Sequence, residues 1–427
     1  MIDVYVLNTN FEVVGVIDTY ESFIWTDRWN SYGDFELYTS FDQNILNLCQ
    51  QNYYLHINQS EHTMIIEGIE VETDAETGVK LRVTGRSLES ILDRRIVWTQ
   101  TTVAANTKFE TAIKNLMDKA FRTSGVAPDP GTSGGNRTIS DARKMTNLVF
   151  EASGDSYIDG ILVEKTQYTG DVIYDILLQM CEDVNNTIGW QVTLDSDNHF
   201  VFKLKTGKDR SYQQTGYEKT MDTVFVSGKT YYEYNSTTHE YVVTQDVTKQ
   251  KNKDYYEKVD ILPYVIFSPD FDNIINTDYL DSTEPMKNVT LVAGEGEGSS
   301  RKTLIVGSAS DLERRELFTD ARDLRYEDYG SNASRYNQAL KTRGLNKLTE
   351  NSRMQSYEGQ VEASRQFVFG RDFFLGDIVQ MSNEYGINGA VRVVEWVMSE
   401  STSGSETYPT FDAVQIIDDT EYEEETT

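Results

Sequence analysis

Hydrophobic and polar residues alternate from Phe23 to Tyr38, and this pattern predicts two strands joined by a tight corner. The apolar positions are Trp25 and Trp29 on the incoming side and Phe35 and Leu37 on the outgoing side, with Glu36 and Tyr38 between them. Gly33 lies at the corner, where the sharp turn is often sterically unfavourable for a residue with a Cβ. The pattern predicts a hairpin with one buried face, and its other face meets solvent or a partner.

Three further patterns predict how the chain is organised. Short alternating runs at 1–103 and again at 358–417 predict antiparallel strands, in a small barrel or sandwich for the first of them. Between them, a capping box at Thr107 and Glu110 and apolar stripes at helical spacing predict an α/β domain at 104–213. A mixed α/β region follows at 261–357. The acidic residues 418–427 are predicted to be disordered.

The stretch 214–260 is rich in Tyr and Thr and has polar turns at both flanks, so it is predicted to be a β module inserted into a loop. Tyr231, Tyr232 and Tyr234, with Tyr255 and Tyr256, could stack on a sugar or on a protein partner. Alternatively, half of these rings fill a small core. The sequence leaves both interpretations open.

Composition excludes several classes of protein. The formal net charge of −30 argues against a nucleic-acid clamp, which needs an excess of Lys and Arg. Cys49 and Cys181 lie far apart and outside any Cys/His cluster, so neither a disulfide framework nor a zinc site is expected. No apolar run reaches transmembrane length and no secretion signal is recognised, so the chain is expected to be made in a cytoplasm.

Candidate chemistry is sparse, and no catalytic, cofactor or metal site is predicted. The loop Gly294–Gly298 lacks nucleotide-loop spacing and carries two glutamates, which favours a flexible hairpin loop. Asp195 with Asp197, and Asp270 with Asp272, lack the rest of a calcium loop and are interpreted as turn residues. The four histidines are scattered. A paired-carboxylate glycosidase stays open, because such a pair is defined only by its separation in space.

Several strings, in one order along nearly the whole chain, resemble the tail-tip or baseplate-hub proteins of long-tailed phages. They are Ile24–Trp29 with Tyr32–Leu37, Met64–Ile69, Thr84–Arg95, Tyr168–Gly170, Gly207–Ser211, Phe267–Asn273, Val292–Gly296 and Asp320–Asp323. In the family's pattern the strings that correspond to Gly207–Ser211 and Phe267–Asn273 follow each other closely. In this chain the stretch 214–260 separates them, which departs from that pattern. This departure agrees with an inserted module.

The resemblance implies a mainly β hub fold with α+β parts. The β regions 1–103 and 358–417 would be two small β-barrels forming one third of a ring, with the α/β domain peripheral. It further implies a homotrimer at the tail tip of a virion, whose partners are the distal tail ring, tail tube and other tail-tip or fibre proteins. DNA would pass through without specific binding.

Within that hub, the candidates for subunit contacts are Trp25, Trp29, Tyr32, Glu36 and Tyr38, although the two tryptophans could equally belong to the barrel core. The expected function is therefore structural and not enzymatic. The alternatives are a tail-tip cell-wall hydrolase and an adhesion protein that binds host glycan through 214–260.

Overall fold

The computed structural model describes residues 2–74, 78–98, 100–122, 126–128, 136–138, 145–235, 240–250, 253–361 and 366–413. The predicted acidic tail at 418–427 lies outside these residues. The first region consists of seven strands, one short helix and a 3-10 helix at Leu88–Arg94. Its elements are β1 (Val4–Leu7), β2 (Val13–Ile17), β3 (Ser22–Arg28), β4 (Asp34–Ser40), α1 (Gln43–Leu48), β5 (Tyr54–His56), β6 (Thr63–Asp74) and β7 (Gly78–Ser87).

The predicted hairpin of the opening pattern is β3 and β4, which pair from Ser22 opposite Tyr38 to Thr26 opposite Asp34. Gly33 is required at its corner because of a close approach. A Cβ on Gly33 would lie 2.1 Å from the Thr26 carbonyl oxygen. The corner is also held by Ser87, whose Oγ accepts a 2.8 Å hydrogen bond from the Gly33 N–H.

The second region combines helices with short sheets. Its elements are β8 (Thr101–Val103), β9 (Thr107–Lys108), α2 (Phe109–Met117), β10 (Val126–Pro128), β11 (Asn136–Thr138), β12 (Leu148–Glu151), α3 (Ser156–Gly160), β13 (Leu162–Val163), β14 (Thr166–Tyr168), α4 (Ile173–Glu182), β15 (Ile188–Leu194) and β16 (Phe200–Thr206). The order β12-β16-β15 forms a three-stranded sheet in which β12 and β16 are parallel. The apolar stripes of α2 and α4 share one core with this sheet and with the 3-10 helix Leu88–Arg94.

The predicted capping box at the start of α2 is wrong. Thr107 lies in β9, and its hydroxyl donates to the Ala104 carbonyl. The Glu110 carboxylate accepts a 2.6 Å hydrogen bond from the Ser153 N–H. The Thr107 hydroxyl is therefore engaged by a carbonyl before the helix and the Glu110 carboxylate by a distant backbone N–H, so neither caps α2.

The remaining elements form a small module, a mixed region and a last group of strands. They are β17 (Tyr217–Lys219), β18 (Tyr232–Asn235), β19 (Glu240–Val243), β20 (Tyr256–Lys258), β21 (Ile266–Phe267), β22 (Ile274–Ser282), β23 (Val289–Ala293), β24 (Thr303–Val306), β25 (Glu316–Asp320), α5 (Ala333–Glu350), β26 (Met354–Val361), β27 (Ile378–Ser382), β28 (Asn388–Ser401) and β29 (Gly404–Ala413). Short 3-10 helices lie at Pro269–Phe271, Gly298–Ser300, Asp311–Glu313 and Tyr326–Tyr329. α5 packs on the sheet β24-β23-β25, and β22 pairs with β26.

One large sheet connects the first and last regions in the order β2-β1-β5-β6-β7-β4-β3-β28-β27-β21, with β29 paired to β28. The connection is β3 against β28, from Ser22 opposite Ser401 to Arg28 opposite Glu395. The prediction of a mainly β protein is confirmed. The two predicted barrels are not seen as closed units, because the described strands form a continuous sheet without a closed barrel.

The large sheet nevertheless has two hydrophobic cores. One lies within the first region and includes Phe23, Trp25 and Phe35. The other lies around Phe267 and Phe373, with side chains of β27 and β28 and with Trp29 of the first region. Trp396 packs partly against both cores. We call the two parts of the sheet with their cores the first and second sheet modules.

Candidate assembly surfaces

Trp25 lies in the core of the first sheet module and is fully buried. Its ring lies 6.1 Å from the ring of Phe23 and 6.4 Å from that of Phe35, measured between centroids. Its indole N–H donates a 2.8 Å hydrogen bond to the Asp27 carboxylate, which satisfies the buried donor. Trp25 is therefore a core residue and is not available at the surface of the chain.

Trp29, only 1% exposed, lies where three regions meet. Its backbone N–H donates to the Val394 carbonyl of β28, and its indole N–H donates to the Asn186 carbonyl just before β15, at 2.9 and 3.0 Å. Its ring is flanked by Gly189 and Gly376, where a Cβ would come within 2.6 and 2.4 Å of ring atoms. Both tryptophans thus follow the core alternative that the sequence left open, and Trp29 joins the two sheet modules to the α/β region.

Tyr32, Glu36 and Tyr38 are half-buried, and they differ in what they face. The Tyr32 ring lies 5.1 Å from that of Tyr174, so it packs against the α/β region. Glu36 and Tyr38 lie on the polar face of the first sheet module. There Arg82 donates to the Glu36 carboxylate at 2.7 Å.

That polar face carries a ladder of opposite charges across neighbouring strands. The pairs are Arg82 with Glu36 and Glu70, Arg86 with Glu67 and Asp93, Lys80 with Glu21, and Arg28 with Asp34 and Glu395. Exposed pairs of this kind contribute little to stability individually, at roughly 0–1 kcal/mol each. Their geometry gives the face a fixed pattern of opposite charges.

A buried cluster of charged groups connects the first sheet module to the α/β region. His62 Nδ1 and Glu89 Oε1 are 3.0 Å apart, and Glu89 Oε1 also accepts the Val192 N–H of β15 at 2.8 Å. Burial alone would lower the pKa of His62, but the carboxylates of Glu89 and Asp27 outweigh it and raise that pKa to about 8. His62 is therefore held protonated near neutral pH, as an ion pair inside the protein.

Lys205 of β16 belongs to the same buried region. Its ammonium donates a 2.8 Å hydrogen bond to the Gln191 side chain and lies 5.4 Å above the ring of Trp29. Burial lowers the pKa of Lys205, and the nearby carboxylates of Glu89 and Asp27 oppose that shift. The sequence pattern does not single out Lys205, because a single charge inside an alternating strand is most simply assigned to the solvent face.

The tyrosines of the inserted module divide into two sets. Tyr231 is buried, stacks on Phe225 at 4.5 Å, and donates to the Asp222 carboxylate, so it is a core residue. Tyr232 is half-buried, and Tyr234 is 44% exposed. The surface set consists of Tyr217, Tyr232, Tyr234, Tyr241 and Tyr256, whose rings contact one another in a row. Tyr231 therefore follows the core interpretation. Stacking of the surface set on a sugar or a protein partner stays a prediction.

The two ends of this module are held side by side. The Val259 N–H donates to the Gly216 carbonyl at 2.9 Å. Just outside this pair, the Gln214 side-chain amide exchanges two hydrogen bonds with the Leu262 backbone, both at 2.9 Å. The chain leaves the body of the protein and returns to it at one place, as expected of an inserted unit.

The candidate calcium residues Asp195 and Asp197 lie in the turn between β15 and β16. Together with His199 they form a group whose possible ligand atoms lie within 4.8 Å of one another. The Asp195 carboxylate already accepts the N–H groups of Asp197 and His199, at 2.9 and 2.8 Å. These bonds agree with the interpretation of turn residues that stabilise their own backbone.

The glycine-rich loop Gly294–Gly298 lies in the hairpin connection between β23 and β24. Across the described ranges, no helix is both long and apolar enough to cross a membrane.

Comparison with known proteins gives a family match over nearly the whole chain. The family model described as Siphovirus ReqiPepy6 Gp37-like protein matches residues 3–411. No curated protein sequence matches the chain. The sequence-level resemblance to a phage tail family is therefore confirmed by an independent match.

Solved structures with a similar fold include three tail proteins. A tail protein from Neisseria meningitidis MC58 and a 43 kDa tail protein of prophage MuSo2 from Shewanella oneidensis each have a TM-score of 0.52 at 12% identity. The alignments cover 97% of this chain, with 98% and 99% of those chains. Prophage tail protein gp18 from Listeria monocytogenes EGD-e has a TM-score of 0.50 at 11% identity, with 97% and 95% covered. At such identities the similarity shows the fold.

Proposed function

The chain belongs to the Siphovirus ReqiPepy6 Gp37-like family, and we propose that it is a structural protein of a phage tail tip that assembles as a trimeric hub. The observation that carries the proposal is the similarity of fold to tail proteins along 97% of the chain. A fold by itself does not determine a function. Here, however, the similarity includes both sheet modules and the regions between them.

The two sheet modules support a ring. Two related modules in each chain of a trimer present six quasi-equivalent units, which can meet a sixfold tail tube, and head-to-tail contacts close such a ring. In this proposal the first and second sheet modules act as the two barrel-like units. The charge ladder, with Glu36 and Tyr38, supplies the contacts between chains, and the partners are the distal tail ring, the tail tube and other tail-tip proteins.

The net charge of −30 fits a channel that DNA traverses without binding, because an acidic surface repels phosphate. Hydrolysis of the cell wall is not part of the proposal.

The proposal is tested by the mass and the image of the purified chain. Light scattering is expected to give three chains per particle, and electron microscopy a threefold ring with a central channel. Glu36→Arg places a cation beside Arg82 and reverses part of the charge ladder, so it is expected to shift the trimer towards monomers. Asp159→Arg, an exposed change in the α/β region, is the matched control. A monomeric parent chain at every concentration, with no ring in tail preparations, would refute the hub.

Adhesion through the inserted module is a second candidate, favoured by the exposed row of tyrosines around Tyr234. Aromatic rings with exposed faces and polar tips suit sugars and protein surfaces. A phage that lacks residues 217–258 is expected to form complete tails but to lose attachment to its host. If that phage assembles tails and attaches normally, adhesion through the module is excluded.

A further inference from the structure

The inserted module contains one sequence unit twice. Residues 217–233 and 241–257 are related by a shift of 24 positions and are identical at seven of 17 positions. The identical pairs are Tyr217 and Tyr241, Thr220 and Thr244, Asp222 and Asp246, Lys229 and Lys253, Tyr231 and Tyr255, Tyr232 and Tyr256, and Glu233 and Glu257. We call residues 217–235 and 241–258 the first and second units.

The same contacts form inside each unit. In the first unit the Tyr231 hydroxyl donates to the Asp222 carboxylate at 2.7 Å, and Lys229 pairs with Asp222 at 2.9 Å. In the second unit Tyr255 donates to Asp246 at 2.5 Å, and Lys253 pairs with Asp246 at 3.0 Å. Each tyrosine hydroxyl also accepts a backbone N–H from five residues earlier, those of Val226 and Gln250. The shared residues thus build one repeated local structure.

The contacts between the units are reciprocal. Lys229 of the first unit pairs with Glu257 of the second at 3.1 Å, and Lys253 of the second pairs with Glu233 of the first at 2.6 Å. The two threonines follow the same rule, because Thr220 donates to Glu257 and Thr244 donates to Glu233. Their backbones do so as well. The Thr220 N–H donates to the Tyr255 carbonyl and the Thr244 N–H to the Tyr231 carbonyl, at 2.8 and 3.0 Å.

The sheet has the matching symmetry. Its order is β17-β20-β18-β19, and exchanging the two units gives the same order read from the other edge. The two inner strands pair at Tyr232 opposite Tyr256, which are equivalent residues of the two units. Tyr217 and Tyr241, also equivalent, stack at 4.3 Å with an angle of 11° between their rings. Equivalent residues meet each other only at a twofold axis, so the two units are joined like the subunits of an isologous dimer.

We propose that the module is a pair of docking units with a self-complementary surface, and that the partner this surface fits is the same unit on a second copy of the chain. The surface combines the Lys and Glu of each unit with the inner strand and the tyrosine row. Within one chain the two units satisfy each other. A single unit keeps its lysine and its glutamate on the pairing surface, where the glutamate and the lysine of a second copy can pair with them. This proposal does not depend on the hub.

The first experiment removes one unit from the full chain. Residues 217–240 are replaced by a short Gly-Ser linker between Gly216 and Tyr241, and a second such linker follows Lys258. The second unit is thereby kept, and the linkers let the units of two chains reach each other. The reference chain lacks both units, residues 217–258. The one-unit chain is expected to show at least twice the mass of the reference chain by light scattering, falling to the same mass on dilution. Equal masses at all concentrations would overturn the proposal.

The second experiment tests specificity by charge reversal in one-unit chains. Lys253→Glu places an acidic group against Glu257 of the other chain, and Glu257→Lys places a basic group against Lys253 of the other chain. Each variant alone is therefore expected to lose most of its pairing. Mixing the two variants restores opposite charges, and a heterodimer is expected. In the full chain, Lys229→Glu lowers the urea midpoint of the module, and added Glu257→Lys restores part of it, because residue 229 also faces Asp222 of its own unit. Failure of both rescues would overturn the pairing surface even if a truncated chain folds poorly.

Discussion

Removing the side chain of Trp29 is expected to cost more than a usual core truncation, because of what surrounds the ring. Gly189 and Gly376 flank it, and neither has a side chain that can move into the space. The cavity left by Trp29→Ala therefore stays unfilled on these two sides. A Trp-to-Ala change in a core costs roughly 3–5 kcal/mol, and the unpaired carbonyl of Asn186 adds about 1 kcal/mol. The expected loss is about 4–6 kcal/mol in the free energy of unfolding.

The assay is urea unfolding followed by tyrosine and tryptophan fluorescence and by circular dichroism. Trp29→Phe keeps most of the packing but removes the indole donor, so about 1–2 kcal/mol is expected for it. Trp98→Ala is the control, since Trp98 is half exposed, and it should change stability by less than about 1 kcal/mol. A loss below about 2 kcal/mol for Trp29→Ala would refute the role of this ring as the junction of three regions.

Three further predictions follow from other contacts. The pKa of His62 is raised from 6.5 to about 8, so its pairing with Glu89 stabilises the fold by about 2 kcal/mol below pH 6.5, and this contribution is lost as the pH rises through 8. Unfolding measured from pH 6 to 9 should lose that dependence in His62→Gln, and an unchanged slope would contradict it. Gly33→Ala places a methyl 2.1 Å from a backbone oxygen and should cost about 1–3 kcal/mol in urea unfolding, whereas Gly216→Ala, with 3.7 Å of space, should cost far less. Deleting 217–258 joins Gly216 to Val259, which are already hydrogen-bonded at 2.9 Å, so the thermal transition of the body should stay within about 2 °C, and aggregation or a lower transition would contradict this.

Alternation, helical spacing and turn chemistry predicted several of the local elements, although the segment 312–324, interpreted as helical from its sequence, contains the strand β25. The hairpin of β3 and β4, the buried stripes of α2 and α4, and the separate character of residues 214–260 all depend on residues close together in the chain. The 24-residue repeat was also present in the sequence, where Lys-x-Tyr-Tyr-Glu occurs at Lys229 and again at Lys253. The repeat is detectable only by aligning the chain with itself, because the two units are identical at just seven of 17 positions.

Tertiary structure decided which strands meet and which charges are buried. A period of two determines the face on which Trp25 or Asp27 lies, but backbone hydrogen bonds are the same for any partner strand, so nothing local could predict that β3 pairs with β28. Nor could the pattern show that Lys205 would be half-buried beside carboxylates. That outcome depends on Glu89 and Asp27, which distant segments bring to it. The sequence by itself determined the elements and their inward faces, because these depend on local spacing, whereas the junction at Trp29 exists only after distant segments have packed together.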